Sequence, residues 1–171
     1  MRVVGGEAKG RKLVAPTGRD TRPTSDRARE AVFNMLASLR VVDGAQVADL
    51  FAGSGAMGIE ALSRGAARAT FVERDGAAVR AIEANLQATG LSERATVVRG
   101  DATAPVGRMD VVFADPPYAF AAWTELLDQL DAAIAVLESD REIDVGAKWL
   151  VNKVRRYGST VVTLAQRKGT T

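Results

Sequence analysis

From Gln46 onward the chain repeats one unit, a short apolar run, a loop and an amphipathic run. QVADLF (46–51) leads into a glycine-rich loop, then GIEALSRG closed by Gly65, then ATFVE (69–73). The segment from Asp75 to Thr89 has helical spacing and stops at Gly90. ATVVRG, MDVVFA and AIAVLE are further runs of strand length, the last two separated by the helical stretch FAAWTELLDQLDA, 120–132. Successive parallel strands need a crossover of a dozen residues or more, so this alternation predicts a mainly parallel sheet with helices on both faces. KWLVNKVRRYGSTVVTLAQR reads as two β runs around a Tyr-Gly turn, a hairpin expected to bring one antiparallel edge strand.

The first 45 residues follow another pattern. RVVGGEAKGRKLVAP alternates β-formers with Gly and basic residues, as a small two-stranded element with a basic loop would. A helix follows, with Thr24 or Ser25 as its cap and Asp26 in its first turn. Ala28, Val32, Met35, Leu36 and Leu39 share one face; Arg27 and Glu30 occupy the other, with Arg29 nearby. The 171 residues suffice for one domain with a real core, and no composition shift marks a boundary.

The residue inventory narrows the chemistry. There is no cysteine and no histidine. Disulfides, Cys/His zinc sites, catalytic triads and thiol nucleophiles are therefore excluded, and no metal site is expected. No apolar run approaches the roughly 20 residues of a membrane span, and MRVVGGEAKG has no signal-peptide core, so no membrane role and a cytoplasmic location are expected. Charge is segregated: +4 over residues 1–30, −7 over 31–140 and +5 over 141–171. Two basic ends that fold onto one face would suit a polyanion.

Gly53, Gly55 and Gly58 match G-x-G-x-x-G, and Glu73 ends the second strand 20 residues beyond Gly53. The pattern serves dinucleotides and equally S-adenosylmethionine (AdoMet), because the strand-two acid can hold ribose hydroxyls in either case. Three features favour AdoMet. Asp49 lies inside the first strand, where a buried acid needs a partner such as an ammonium group. Asp101, before Ala102, ends the third strand where it could accept from an adenine amine. The fourth strand ends in Asp115-Pro116-Pro117-Tyr118, at the edge where open α/β sheets bind ligands.

Two prolines stiffen that turn and remove two backbone donors. What remains is the Asp115 carboxylate and the carbonyls of Asp115, Pro116 and Pro117, an acceptor-only rim suited to an exocyclic amine. Acceptors on both N–H bonds favour a pyramidal nitrogen with an available lone pair, so catalysis is mostly positioning and electrostatics. The Tyr118 ring offers a stacking platform worth roughly 1–3 kcal/mol per base. Trp123, Trp149 and Tyr157 are expected in the core or at its edge.

Asp-Pro-Pro-Tyr resembles the motif of amino-methyltransferases acting on nucleic-acid bases. With GRKL, RPT-x-DR-x-RE-x-x-FN-x-L, DLFAGSGAMGIEALSRGA, FVERD and RYGST, nearly the whole chain resembles the bacterial 16S ribosomal RNA guanine-N2 methyltransferases, the RsmD-like family. The resemblance implies a Rossmann-like class I methyltransferase fold: a mostly parallel seven-stranded sheet, helices on both faces, a C-terminal antiparallel hairpin and a small N-terminal β extension over residues 1–24, with the catalytic core in 25–171. It implies AdoMet held by Asp49, Phe51, Gly53, Ser54, Gly55, Glu73, Arg74, Asp101, Ala102 and Asp115. A flipped guanine would then meet Asp115, Pro116, Pro117 and Tyr118. Arg11, Lys12, Arg22, Thr24, Arg27 and Arg29 are the residues expected to face 16S rRNA, in a small-subunit assembly particle, with the enzyme a monomer.

The stretch from Tyr118 to the hairpin is shorter than the family leads one to expect, so a thin helix layer is anticipated there. A DNA adenine-N6 methyltransferase would use the same four residues but normally carries an added recognition region. A non-catalytic RNA-binding assembly factor on the same fold would tolerate loss of Asp115.

Overall fold

The computed structural model describes residues 1–17 and 24–169. Seven strands form one sheet: β1 (Gln46–Leu50), β2 (Arg68–Glu73), β3 (Ala95–Arg99), β4 (Met109–Ala114), β5 (Ala132–Ser139), β6 (Trp149–Tyr157) and β7 (Thr160–Arg167), in the order β3-β2-β1-β4-β5-β7-β6. β1 to β5 run parallel, β7 lies antiparallel between β5 and β6, and β6 takes the edge. The expected antiparallel edge strand is thus an inner one. Composition explains the swap: Val161, Val162, Leu164 and Ala165 of β7 are buried, whereas β6 carries exposed Asn152, Lys153, Arg155 and Arg156, residues that protect an open edge from further pairing.

The helices are α1 (Asp26–Leu39), α2 (Ala56–Ser63), α3 (Gly76–Thr89) and α4 (Trp123–Gln129). Ser25 caps α1 by accepting from Ala28 N–H, and Asp75 caps α3 by accepting from Ala78 N–H. One face of the sheet is covered by α1, α2, α3 and the N-terminal segment, whose Val3 and Leu13 join Phe33, Leu36, Ile59, Leu62 and Ile82 over Val47, Phe71, Phe113 and Val136. The other face packs against α4 through Trp123, Leu126 and Leu127.

That second layer is thin, as the short linker suggests. The helix expected over 120–132 has only seven residues, because Phe120 N–H closes a turn on the Pro117 carbonyl and β5 already starts at Ala132. Trp123 and Trp149 are core residues, and Trp149 Nε1 donates to the Leu127 carbonyl at 3.0 Å. The buried face of α1 is also turned from the expected one. Ala28, Val32 and Leu36 are buried, Met35 is half-buried and Leu39 is exposed; Arg29 and Phe33 complete the face, with Phe33 packed on Phe113 at 5.5 Å between ring centroids. Among the described residues, the N-terminal β element amounts to a single antiparallel bridge between Arg2 and Lys12. Among the described residues, no helix is long and apolar enough to cross a membrane.

Candidate active site

Side chains alternate along a strand, so residues two apart share a face. Val47, Phe113 and Val136 lie on the α1–α3 side of the sheet. Two residues further on stand Asp49 in β1, Asp115 directly after β4 and Glu138 in β5, which the parallel register brings to one edge of the sheet. All three line a cleft of about 990 Å³.

The glycine loop forms the cleft's floor. Phe51 follows β1 with a φ of 57°, a left-handed backbone uncommon for a residue with a side chain and found at sites where geometry is imposed. Gly55 caps α2 at φ 79°. Gly58 lets α2 lie directly on the sheet, since a Cβ there would stand 2.4 Å from the Phe71 ring. Glu73 holds the loop: its Oε2 accepts from Gly53 N–H at 2.9 Å, and its Oε1 accepts from Arg74 N–H and Asp75 N–H. Asn85 donates to the carbonyls of Ser54 and Val14, clamping the N-terminal segment beside the loop.

Of the residues expected around AdoMet, Asp49, Phe51, Gly53, Ser54, Glu73, Arg74, Asp101, Ala102 and Asp115 line this one cleft, together with Pro116, Pro117 and Tyr118. Gly55 does not; it packs towards Ile82 and Phe71. Asp101 stands exposed with its Oδ1 accepting from the Thr103 amide and hydroxyl, which holds its carboxyl below the usual range. The Pro117 carbonyl is engaged by Phe120 N–H, so the acceptor rim reduces to the Asp115 carboxylate and the carbonyls of Asp115 and Pro116. Phe120 meets Phe51 and Trp123 edge-on, with centroids 5.4 and 5.3 Å apart, which fixes the turn against the loop. Tyr118 is 37% exposed at the rim.

The charged residues lining the cleft are mainly acids, with Arg74 at its lining as well. Asp49 is buried, accepts from Gly58 N–H at 2.9 Å, and is pushed up to about 8, by burial first and by Glu138 and Glu73 in addition. Asp115 is half-buried, and desolvation followed by repulsion from Glu138 and Asp49 raises it well above the ordinary carboxylate range. Burial raises Glu138, opposed by the Thr24 hydroxyl and the more distant Arg29. None of these three carboxylates has an ion pair among the described residues. A cationic ligand is what these three carboxylates would pair with.

The sign of the resulting pH dependence is definite. A carboxyl raised in the folded state stabilises the fold while protonated, and that stability is lost as pH climbs through the folded value. Unfolding free energy of the ligand-free protein is therefore expected to fall between about pH 4 and 8, and Asp49→Asn to flatten that slope in urea titrations. Affinity for a cationic ligand should rise across the same window. A wild-type slope unchanged by the substitution would contradict this account of Asp49.

The residues expected to face RNA divide. Thr24 lines the cleft and donates to Glu138, with Oγ1 at 3.0 and 2.8 Å from its two oxygens. Arg27 is exposed in an adjoining groove of about 690 Å³, between the start of α1 and the β6–β7 turn, where Arg156 and Tyr157 face it and Thr24 and Thr160 are shared with the cleft. Arg11 and Lys12 are exposed on the N-terminal element. Arg22 lies outside the described residues.

Arg29 requires correction. It is 0% exposed, bonded to Glu60 at 3.4 Å, to Asp26 at 2.9 Å and to the backbone carbonyls of Arg2 and Thr24. It is an internal tie and no surface for a polyanion. Glu138 and Arg156 were not singled out from the sequence. AIAVLE ends in an acid at the same sheet edge as Asp115, a signal that could have found Glu138.

A doubly wound sheet with an inner antiparallel β7, a glycine loop after β1 and acids at the carboxyl ends of β1, β2 and β4 defines a class I methyltransferase fold. Residues 1–166 match the family model described as "Conserved hypothetical protein 95". The chain is 38% identical to ribosomal RNA small subunit methyltransferase D of Escherichia coli K12 over 182 residues, covering 98% of this chain and 90% of that protein. A solved Escherichia coli structure superposes with a TM-score of 0.86 at 39% identity, over 99% of both chains. A more distant fold relative, an RNA methyltransferase from Salinibacter ruber in complex with S-adenosyl-L-homocysteine, gives 0.67 at 21% identity, covering 88% of this chain and 97% of that one. The chain belongs to this family, the RsmD family of methyltransferases.

Proposed function

We propose that this protein methylates the exocyclic N2 amine of a guanine in small-subunit ribosomal RNA, using AdoMet. The observation that carries the reading is the juxtaposition, in one cleft, of the acceptor rim at Asp115 and Pro116 with Asp49, Asp115 and Glu138, three carboxylates that make no ion pair among the described residues. When bound, AdoMet supplies a methyl group made electrophilic by its sulfonium charge. Asp49, Glu73, Asp101 and the loop at Phe51–Ser54 are the residues that would hold it, and Asp49 is the acid suited to its ammonium.

The chain's own groups do the rest by placement. The Asp115 carboxylate and the Pro116 carbonyl accept the two N–H bonds of the target amine. That disfavours its planar, conjugated form and leaves its lone pair free. Asp115, whose surroundings raise its proton affinity, takes up the proton released as the new N–C bond forms and the bond from that methyl carbon to the cofactor's sulfur breaks, and passes it to water; the sulfur would leave as a neutral thioether. Tyr118 stacks on the flipped base.

Glu73→Ala is expected to raise the AdoMet dissociation constant roughly 10- to 100-fold, the loss of hydrogen bonds to a charged acceptor. The variant removes an acceptor for the ribose and frees the Gly53 amide. Calorimetric titration decides; unchanged affinity would contradict the assignment of this crevice.

The Arg27–Arg156 groove continues the reading onto the RNA backbone. Each of Arg27→Ala and Arg156→Ala is expected to weaken rRNA binding and lower the slope of log K against log salt by about 0.7–0.9 per lost phosphate contact. Filter binding over a salt series measures this, and wild-type slopes in both variants would remove the groove from the interface. The proposal includes a single domain over 1–171, with 1–24 contributing RNA contacts and 25–171 the catalytic core. It also includes a monomer acting in the cytoplasm on rRNA within a small-subunit assembly particle.

A further inference from the structure

The geometry points to Glu138 as the residue that selects guanine: its carboxylate accepts from N1–H of the base whose N2 amine rests on Asp115. This rests on the proposed guanine-N2 reading and adds a residue to it. The parallel register pairs Ala114 with Leu137, so Asp115 and Glu138 are the next residues on adjacent strands, which run about 4.8 Å apart. Both belong to the strand faces that carry Phe113 and Val136, and both line the same cleft.

Glu138 is 4% exposed, and its carboxylate is oriented by the Thr24 hydroxyl, which also lines the cleft. A buried acid facing a ligand cavity, with one hydroxyl as its hydrogen-bond partner among the described residues, is costly unless the ligand brings donors. Guanine brings two neighbouring donors on its Watson–Crick edge, N1–H and N2–H. Adenine turns an unprotonated N1 towards the same place, and a carboxylate repels it. Two acids side by side therefore match guanine and reject adenine, while one acid with a proline turn does not distinguish them. Donors from the base favour the ionised form that burial disfavours.

The test uses 16S rRNA assembled by splinted ligation, with guanine or 2-aminopurine at the position the wild-type enzyme modifies. 2-Aminopurine keeps the N2 amine but has no hydrogen on N1. The wild type is expected to favour guanine roughly 10- to 100-fold in kcat/KM, the range of one good two-point base contact. Glu138→Gln, whose amide can donate to N1, is expected to bring that ratio towards one while AdoMet affinity stays at the wild-type value. Thr24→Val, which loosens the carboxylate, should lower the same ratio and carries the test if Glu138→Gln fails to fold. A guanine preference left at wild-type level by the variants, or absent from the wild type, overturns the role of Glu138. No N2-methylguanosine from the wild type on unmodified rRNA overturns the underlying reading as well, so the two failures are told apart.

Discussion

Asp115→Ala is expected to lower kcat for methyl transfer by about 10³-fold or more, with AdoMet still bound. General acid–base catalysis by a positioned group reaches about 10²–10⁴-fold and its electrostatic contribution about 10²–10³-fold, and Asp115 supplies both in this site. It accepts from the amine, and it receives the proton. The substitution leaves in place the glycine loop, Glu73 and Asp49, the groups with the larger share in holding the cofactor. Stability gives an independent check. Asp115 is raised by desolvation and by two neighbouring acids, so removing its charge relieves repulsion, and Asp115→Asn should melt no lower than the wild type above pH 7. Single-turnover transfer assays with calorimetry in parallel test this. Retained turnover in Asp115→Ala would remove Asp115 from the mechanism, and lost turnover with lost folding would leave it a structural residue.

Arg29→Met is expected to destabilise the fold by about 3–5 kcal/mol, the usual result of breaking a buried ion pair from one side. Both Arg29 and Glu60 side chains have 0% exposure. Glu60 gathers Val4 N–H, Gly5 N–H, Arg29 and Arg64 around one carboxylate, and Arg29 gathers the carbonyls of Arg2 and Thr24. The pair joins the N-terminal segment, α1 and α2. Its loss leaves the buried Glu60 carboxylate with Arg64 as its remaining cation, an arginine 20% exposed, and loosens the segment carrying Thr24. Glu60→Gln in the same chain should recover part of the loss, because it removes the stranded charge. Urea unfolding measures both. Wild-type stability with a selective loss of RNA affinity would return Arg29 to the RNA surface.

The sheet and the cleft were legible because both are written in local pattern. Apolar runs of strand length mark β1 to β5, and Gly53, Glu73 and Asp115-Pro116-Pro117-Tyr118 fall at or just after strand ends, where topology must bring them to one edge. Arg29 was not legible. Its partner Glu60 is 31 residues away, and an arginine on a helix looks the same in sequence whether it meets solvent or a buried carboxylate. The inner place of β7 was missed because hairpin order says nothing about which strand docks; the charge on β6 against the apolar run of β7 held that information. Glu138 was passed over for a similar reason. Its meaning comes from the register that sets it beside Asp115, and one strand's sequence carries no register with its neighbour.

The most direct measurement is methyl transfer from labelled AdoMet to three acceptors: hypomethylated small ribosomal subunits, protein-free 16S rRNA and duplex DNA. Mass spectrometry of the digested product identifies the nucleoside. Label in N2-methylguanosine from a ribosomal acceptor, and none in DNA, is the predicted result. Label in N6-methyladenine of the DNA, or no label in any acceptor while AdoMet binds, would contradict it.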